Sequence, residues 1–150
     1  MLKRDRFFNC GDSEVSFYLN QVAEAGVVLI YPTGAVGQPG LDTDVNTATV
    51  PTGTTGQPCG VLMQDVVNKD LTTCPLMQSK METQVGSKVE VLKGGWIVTD
   101  MIHTGSSPAP GNAAHFTAGG LFTTTTSSAR VGTFESAKVN GFARIRIQLY

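Results

Sequence analysis

Any chemistry in this chain would have to come from a short set of side chains: two histidines, three cysteines and a scatter of carboxylates and cations. A nucleophilic enzyme needs a Ser or Cys beside a base, and a zinc site needs Cys and His at ligand spacing. His103 and His115 stand in neither relation, and each reads as a satisfied or exposed histidine. Cys10, Cys59 and Cys74 are odd in number and unrelated in spacing. That is the pattern of reduced thiols filling apolar space, and it favours assembly inside a cell over a stapled secreted domain. Asp42 and Asp44 open like a calcium loop, but the further ligand positions, the central Gly and the closing Glu are missing. No phosphate-cradling loop, dinucleotide fingerprint or paired-carboxylate set appears. The sequence therefore predicts no catalytic residue, no metal, no cofactor and no enzyme.

The residues suited to contact are more conspicuous. Lys3, Arg4 and Arg6 stand beside Phe7 and Phe8 in a segment, Met1 to Gly11, that lacks helical or clean strand period and ends at a Gly-Asp turn signal. It reads either as a frayed terminus whose phenylalanines tuck back onto the core, or as a partner-docking arm that orders on contact. The division expected is an arm over residues 1–11 and a single β domain over residues 12–150. Trp96, the one tryptophan, directly follows a turn and either anchors the core or sits at an interface; Tyr150 is a second interface candidate. Met63, Met77 and Met81 read as core gap-fillers rather than an adaptable surface.

The elements that position these residues follow from composition and period. In 150 residues a 41% hydrophobic fraction can fill one core, while 15% charged residues and a net charge of −1 give no general field for a polyanion. No nucleic-acid partner is expected. The longest apolar run, Val27 to Tyr31, is too short to cross a bilayer, and no run of signal-peptide length follows the basic N-terminus, so no membrane partner is expected either. Gly 17, Pro 7 and conspicuous Thr point to short strands joined by tight turns, hence an all-β fold.

Along the chain, Val15, Tyr18, Leu19 and Val22 would share a helix face, yet Val15, Phe17 and Leu19 alternate as a strand; β-branched and aromatic content favours the strand. GVVLIY opens at Gly26 as a continuous apolar strand. Residues 34–58 read as a long exposed loop in which Thr47 to Val50 add only a brief edge strand. Gly60 to Val67 is read as the next strand. Val85, Val89 and Val91 are read as one arm of a hairpin that turns at Lys93-Gly94-Gly95 and returns through Trp96 to Thr99. His115 to Thr117 and Leu121 to Thr123 flank a further hairpin turn. The chain ends in a hairpin through Asn140-Gly141, with Ala143, Ile145, Ile147 and Leu149 alternating against Arg144, Arg146 and Gln148. CGVLMQDV from Cys59 resembles RVGTFESA from Arg130, and the two are read as similarly placed strands.

This layout resembles the small head decoration, or cement, proteins of tailed bacteriophages. The resemblance is carried by GVVLIY, CGVLMQDV, GSKVEVLKGGWIV, HFTAGGLFT and a closing hairpin marked by Val131, Gly132, Phe134, Ala137, Gly141, Ala143, Ile145 and Ile147, and it covers roughly Gly26 to Leu149. It implies a small β-barrel or β-sandwich of short antiparallel hairpins, to which this chain adds an extended N-terminal arm and a Thr-rich insertion around residues 41 to 58 that look peculiar to it. It also implies a homotrimer made in the host cytoplasm, which sits on the outer surface of the virion head and bridges subunits of the major capsid protein. Docking would run through Lys3, Arg4, Arg6, Phe7 and Phe8. A tail or baseplate component is the alternative within the structural class. A carbohydrate-binding β module, with Trp96 and Tyr31 or Tyr150 as stacking platforms, is the alternative outside it. Trimeric dUTP-hydrolysing enzymes have similar length and β content, but their Asp-Gly-Tyr-Asp-like motif and Gly-rich tail are absent here.

Overall fold

A computed structural model of the chain describes residues 2–6, 14–32, 47–73 and 80–149. The strands are β1 (Leu2–Arg6), β2 (Glu14–Leu19), β3 (Val28–Ile30), β4 (Thr47–Ala48), β5 (Pro58–Leu62), β6 (Asp65–Val67), β7 (Glu82–Gln84), β8 (Lys88–Leu92), β9 (Gly94–Thr99), β10 (Ala113–Phe116), β11 (Phe122–Thr123), β12 (Arg130–Phe134) and β13 (Ala143–Gln148). They form a six-stranded sheet in the order β1-β9-β13-β12-β10-β11, a five-stranded sheet in the order β3-β5-β8-β2-β4 and a parallel β6-β7 pair. The fold is all-β, as composition predicts. No ladder closes a barrel among the described residues. A bridge from Ile30 to Thr49 draws the two ends of the five-stranded sheet together, and one from Ile102 to Phe122 joins β11 to the segment that follows β9.

Burial explains which runs became strands. One apolar cluster joins the two large sheets, with Val28, Ile30, Val61 and Leu92 of the five-stranded sheet against Ile97, Phe116, Phe134 and Ile145 of the six-stranded one. A second cluster, with Phe17, Leu19, Leu29, Leu62, Val89 and Val91, fills the opposite face of the five-stranded sheet and is completed by Val66, Ala23 and Val85. The five-stranded sheet is thus apolar on both faces. That is why VVLI runs without alternation, whereas Ala143, Ile145 and Ile147 alternate with more exposed residues on a sheet with one covered face.

Two readings of the sequence are corrected. Lys93-Gly94-Gly95 does not turn a hairpin: β8 pairs with β2 and β5, whereas β9 pairs with β1 and β13. The chain passes from one sheet to the other at this point, a corner helped by Gly95 at φ 140. Gly60 to Val67 is two strands, β5 and β6, in different sheets. The other hairpins stand as read, and Asn140 and Gly141 both take positive φ, 51 and 88, as a type I′ turn requires. Met63 is buried as a core filler, but Met81 is exposed.

The two large sheets are built on one plan. β2, β3, β5 and β8 recur, in the same order and all antiparallel, as β9, β10, β12 and β13. The pairing Val28↔Val61, Leu29↔Gly60, Ile30↔Pro58 has its counterpart in Ala113↔Thr133, Ala114↔Gly132, His115↔Arg130, with the register shift at the same step. Hydrogen bonds recur as well. Gly26 N–H donates to Leu62 O at 2.8 Å and Leu62 N–H to Val27 O at 2.9 Å; Gly111 N–H donates to Phe134 O and Phe134 N–H to Asn112 O, both at 2.8 Å. The units stack in the same sense. The face that the first unit presents to the second, with Val28, Val61, Met63 and Leu92, corresponds to the outer face of the second, with Ala113, Thr133, Glu135 and Arg146.

Candidate functional site

That outer face holds Trp96 together with the arginines of β13. β9 and β13 run side by side in register, pairing Trp96 with Arg146 and Val98 with Arg144. The Arg146 guanidinium lies 5.4 Å from the centre of the Trp96 ring, a cation–π stack. Trp96 Nε1–H donates to Glu135 Oε1 at 2.9 Å, and Glu135 Oε2 lies 3.3 Å from Arg144 Nε. One carboxylate thus fixes an indole and a guanidinium in a half-buried setting. Arg144 is held from its main chain as well, its N–H donating to Ser136 Oγ at 2.9 Å.

β1 brings the basic arm to the same place. It pairs antiparallel with β9, matching Lys3 to Val98, Arg4 to Ile97 and Arg6 to Trp96, with a register shift between Arg4 and Arg6. Residues 2–6 are therefore the edge strand of the six-stranded sheet rather than a free extension, and Leu2 packs against the core. Two expectations made on separate grounds, the basic segment and Trp96, meet on adjacent strands. Phe7, Phe8 and Tyr150 lie outside the described residues, as do Cys10, Cys74, Met77, Asp42 and Asp44.

Sequence reading missed Glu135, Arg144 and Arg146. The alternation of the last strand puts both arginines on its polar side, but nothing local ties them to Trp96, which is separated from Glu135 by 39 positions. The remaining chemistry-bearing residues serve the fold. His115 is buried and its Nδ1 lies 2.7 Å from Ser128 O; since a carbonyl only accepts, Nδ1 carries the proton. Exposed His103 accepts the Gly105 N–H at Nδ1, 3.2 Å away. Burial pushes the Cys59 thiol from 9.0 up to about 12, outweighing the opposing charge of Lys93. No three metal-ligating side chains cluster among the described residues, and no helix among them is long and apolar enough to cross a membrane.

Such an arrangement, an aromatic residue stacked under one arginine and tied through a carboxylate to another on a polar sheet face beside an edge strand, suits contact between macromolecules. The family model for structural cement proteins (E217 gp24/Pam3 gp6) matches residues 12–148. The chain belongs to this family and is a structural protein of a phage. The match leaves residues 1–11 outside it. Among curated proteins no match is found.

Proposed function

We propose that this protein cements the phage head: it binds the outer surface of the shell and bridges neighbouring subunits of the major capsid protein. Family membership supports a cement role. The observation that carries the docking assignment is the pairing of Arg6 with Trp96, which joins the basic N-terminal strand and the Trp96–Arg146–Glu135 cluster into one edge and face. Edge strands and arginine-flanked aromatics are the elements by which β proteins add to partners. We take the functional unit to be a homotrimer of single β domains, each with residues 1–11 as its docking arm, made in the host cytoplasm and carried on the virion. Small contacts repeated over a shell then sum to a tight hold. The work calls for no catalysis and no cofactor. A sugar-stacking role for Trp96 is disfavoured by Arg146, which already covers one face of its ring.

The test is co-sedimentation with undecorated expanded heads. Deleting residues 1–11 is expected to reduce head occupancy sharply while circular dichroism shows the β fold retained. Occupancy equal to that of the full chain would falsify the docking role of the arm.

A further inference from the structure

Where the chain crosses between its sheets it leaves an open cleft of about 330 Å³, lined in part by Tyr31, Gln57, Cys59, Lys93, Arg130 and Gln148. This cleft is rich in hydrogen-bond donors, and no carboxylate lines it among the described residues. Lys93 is positioned by aromatic groups: its Nζ lies 3.3 Å from Tyr31 Oη, 5.6 Å from the centre of the Phe17 ring and 5.9 Å from that of Tyr31. An ammonium can only donate, so Tyr31 Oη accepts from Lys93 and its own proton is left to donate onward. Arg130 is braced by its own strand, Nε–H donating to Gly132 O at 3.0 Å and Nη2–H to Thr133 Oγ1 at 2.6 Å, which fixes the guanidinium at the rim and leaves Nη1 for a ligand. Neither cation pairs with an acidic side chain among the described residues. The floor adds no charge, since Cys59 is buried and its thiol stays protonated.

Two braced cations, a phenol proton and two glutamine amides lining one open space, with no counter-charge among the described residues, define an acceptor-seeking site. We propose that this cleft is the receptor for an acidic side chain of the major capsid protein, whose carboxylate sits between Lys93 and Arg130 and accepts from Tyr31 Oη–H. The proposal rests on the cement reading for the identity of the partner. Charge argues for a protein carboxylate over a nucleic acid: the chain carries a net charge of −1 and offers two cations here, too few to hold a phosphate backbone. Arg130 also ties the cleft to the docking face, because Thr133, which it contacts, pairs with Arg146 in the β12-β13 ladder.

Two measurements keep the cleft and the cement reading separable. In the first, the full chain is titrated by NMR with a short blocked peptide containing two glutamates, with its glutamine counterpart, and with inorganic phosphate. The glutamate peptide is expected to shift the amides of Tyr31, Lys93 and Arg130, and Lys93→Gln to abolish the shifts while Lys93→Arg keeps them. No shift, or equal shifts with the glutamine peptide or with phosphate, would overturn the proposal whatever the heads do. In the second, Lys93→Gln and Arg130→Gln are compared with the native chain on expanded heads, with thermal unfolding as the control for folding. Each is expected to weaken apparent affinity about tenfold, with the native advantage shrinking as salt is raised. Native-like affinity in both variants would overturn the assignment of a capsid carboxylate, and failure of the native chain itself to bind heads would overturn the identity of the partner.

Discussion

Gly60 and Gly132 hold the same place in two different sheets. Each sits in the third strand of its unit, beside the step where the register shifts, and each lies where a neighbouring strand leaves no room for a side chain. A Cβ on Gly132 would stand 2.0 Å from the carbonyl oxygen of Arg146, and one on Gly60 2.7 Å from that of Leu92. Leu92 and Arg146 are themselves counterparts, so the close approach recurs along with the topology.

The first prediction concerns those glycines. Gly132→Ala meets main-chain atoms that cannot move aside, and it should cost about 3 kcal/mol or more. Gly60→Ala carries strain as well, because its φ of 149 lies in the region that side chains disfavour. Gly141→Ala meets nothing within 4 Å and should cost only the backbone strain of a positive φ, about 1 kcal/mol. Urea unfolding of the three variants checks the order; equal midpoints would remove steric closure as the reason for glycine at position 132.

A second prediction separates folding from docking at Trp96. Trp96→Phe keeps a ring under Arg146 and loses the hydrogen bond to Glu135, so stability should fall by about 1 kcal/mol. Occupancy on heads should fall more than that loss of stability explains. Because the chain has a single tryptophan, its emission reports the site directly, and a blue shift on binding heads is expected. An unchanged spectrum at full occupancy would place the contact elsewhere.

A third prediction follows from Cys59. The fold favours the neutral thiol, with a folded value of about 12 against an ordinary 9.0. Its contribution to stability is therefore complete below pH 9 and is lost as pH rises towards 12, at about 1.4 kcal/mol per pH unit. Cys59→Ala should be less stable than the native chain at pH 7, and the gap should narrow above pH 9. Native Cys59 should also resist alkylation at pH 8, and rapid labelling there would contradict its burial.

The β6-β7 pair supplies a fourth. Lys69 Nζ lies 2.5 Å from Glu82 Oε2, and the Gln84 side chain accepts Lys69 N–H at 3.1 Å and donates to Lys69 O at 3.1 Å. The ion pair is partly exposed, so Lys69→Ala should cost only about 0.5 kcal/mol and should fade in high salt. Gln84→Ala removes two main-chain contacts and should cost more. Hydrogen exchange at the Lys69 amide distinguishes the two.

What the sequence made legible was local. Asn140-Gly141 announces its turn because few other pairs accept two positive φ values, and the alternation from Ala143 to Leu149 announces one covered face. Where the reading failed, a distant contact decided the outcome. Lys93-Gly94-Gly95 has the composition of a hairpin, yet β8 is claimed by β2 and β5 while Gly95 is claimed by Ile147. The resemblance of CGVLMQDV to RVGTFESA was genuine; its frame becomes clear only when Gly60 is set on Gly132, which the ladder dictates. The Trp96 cluster was invisible because its members come from β9, from β13 and from the residue that follows β12.

The same-sense stacking of the two units also explains why the stack ends at two. Where the first unit shows Val61, Met63 and Leu92 to its neighbour, the second shows Thr133, Glu135 and Arg146 to solvent. These polar substitutions act as a terminator. With valine at 133 and leucine at 146 the sheet would end in a bare apolar plane, open to a further sheet stacking on it.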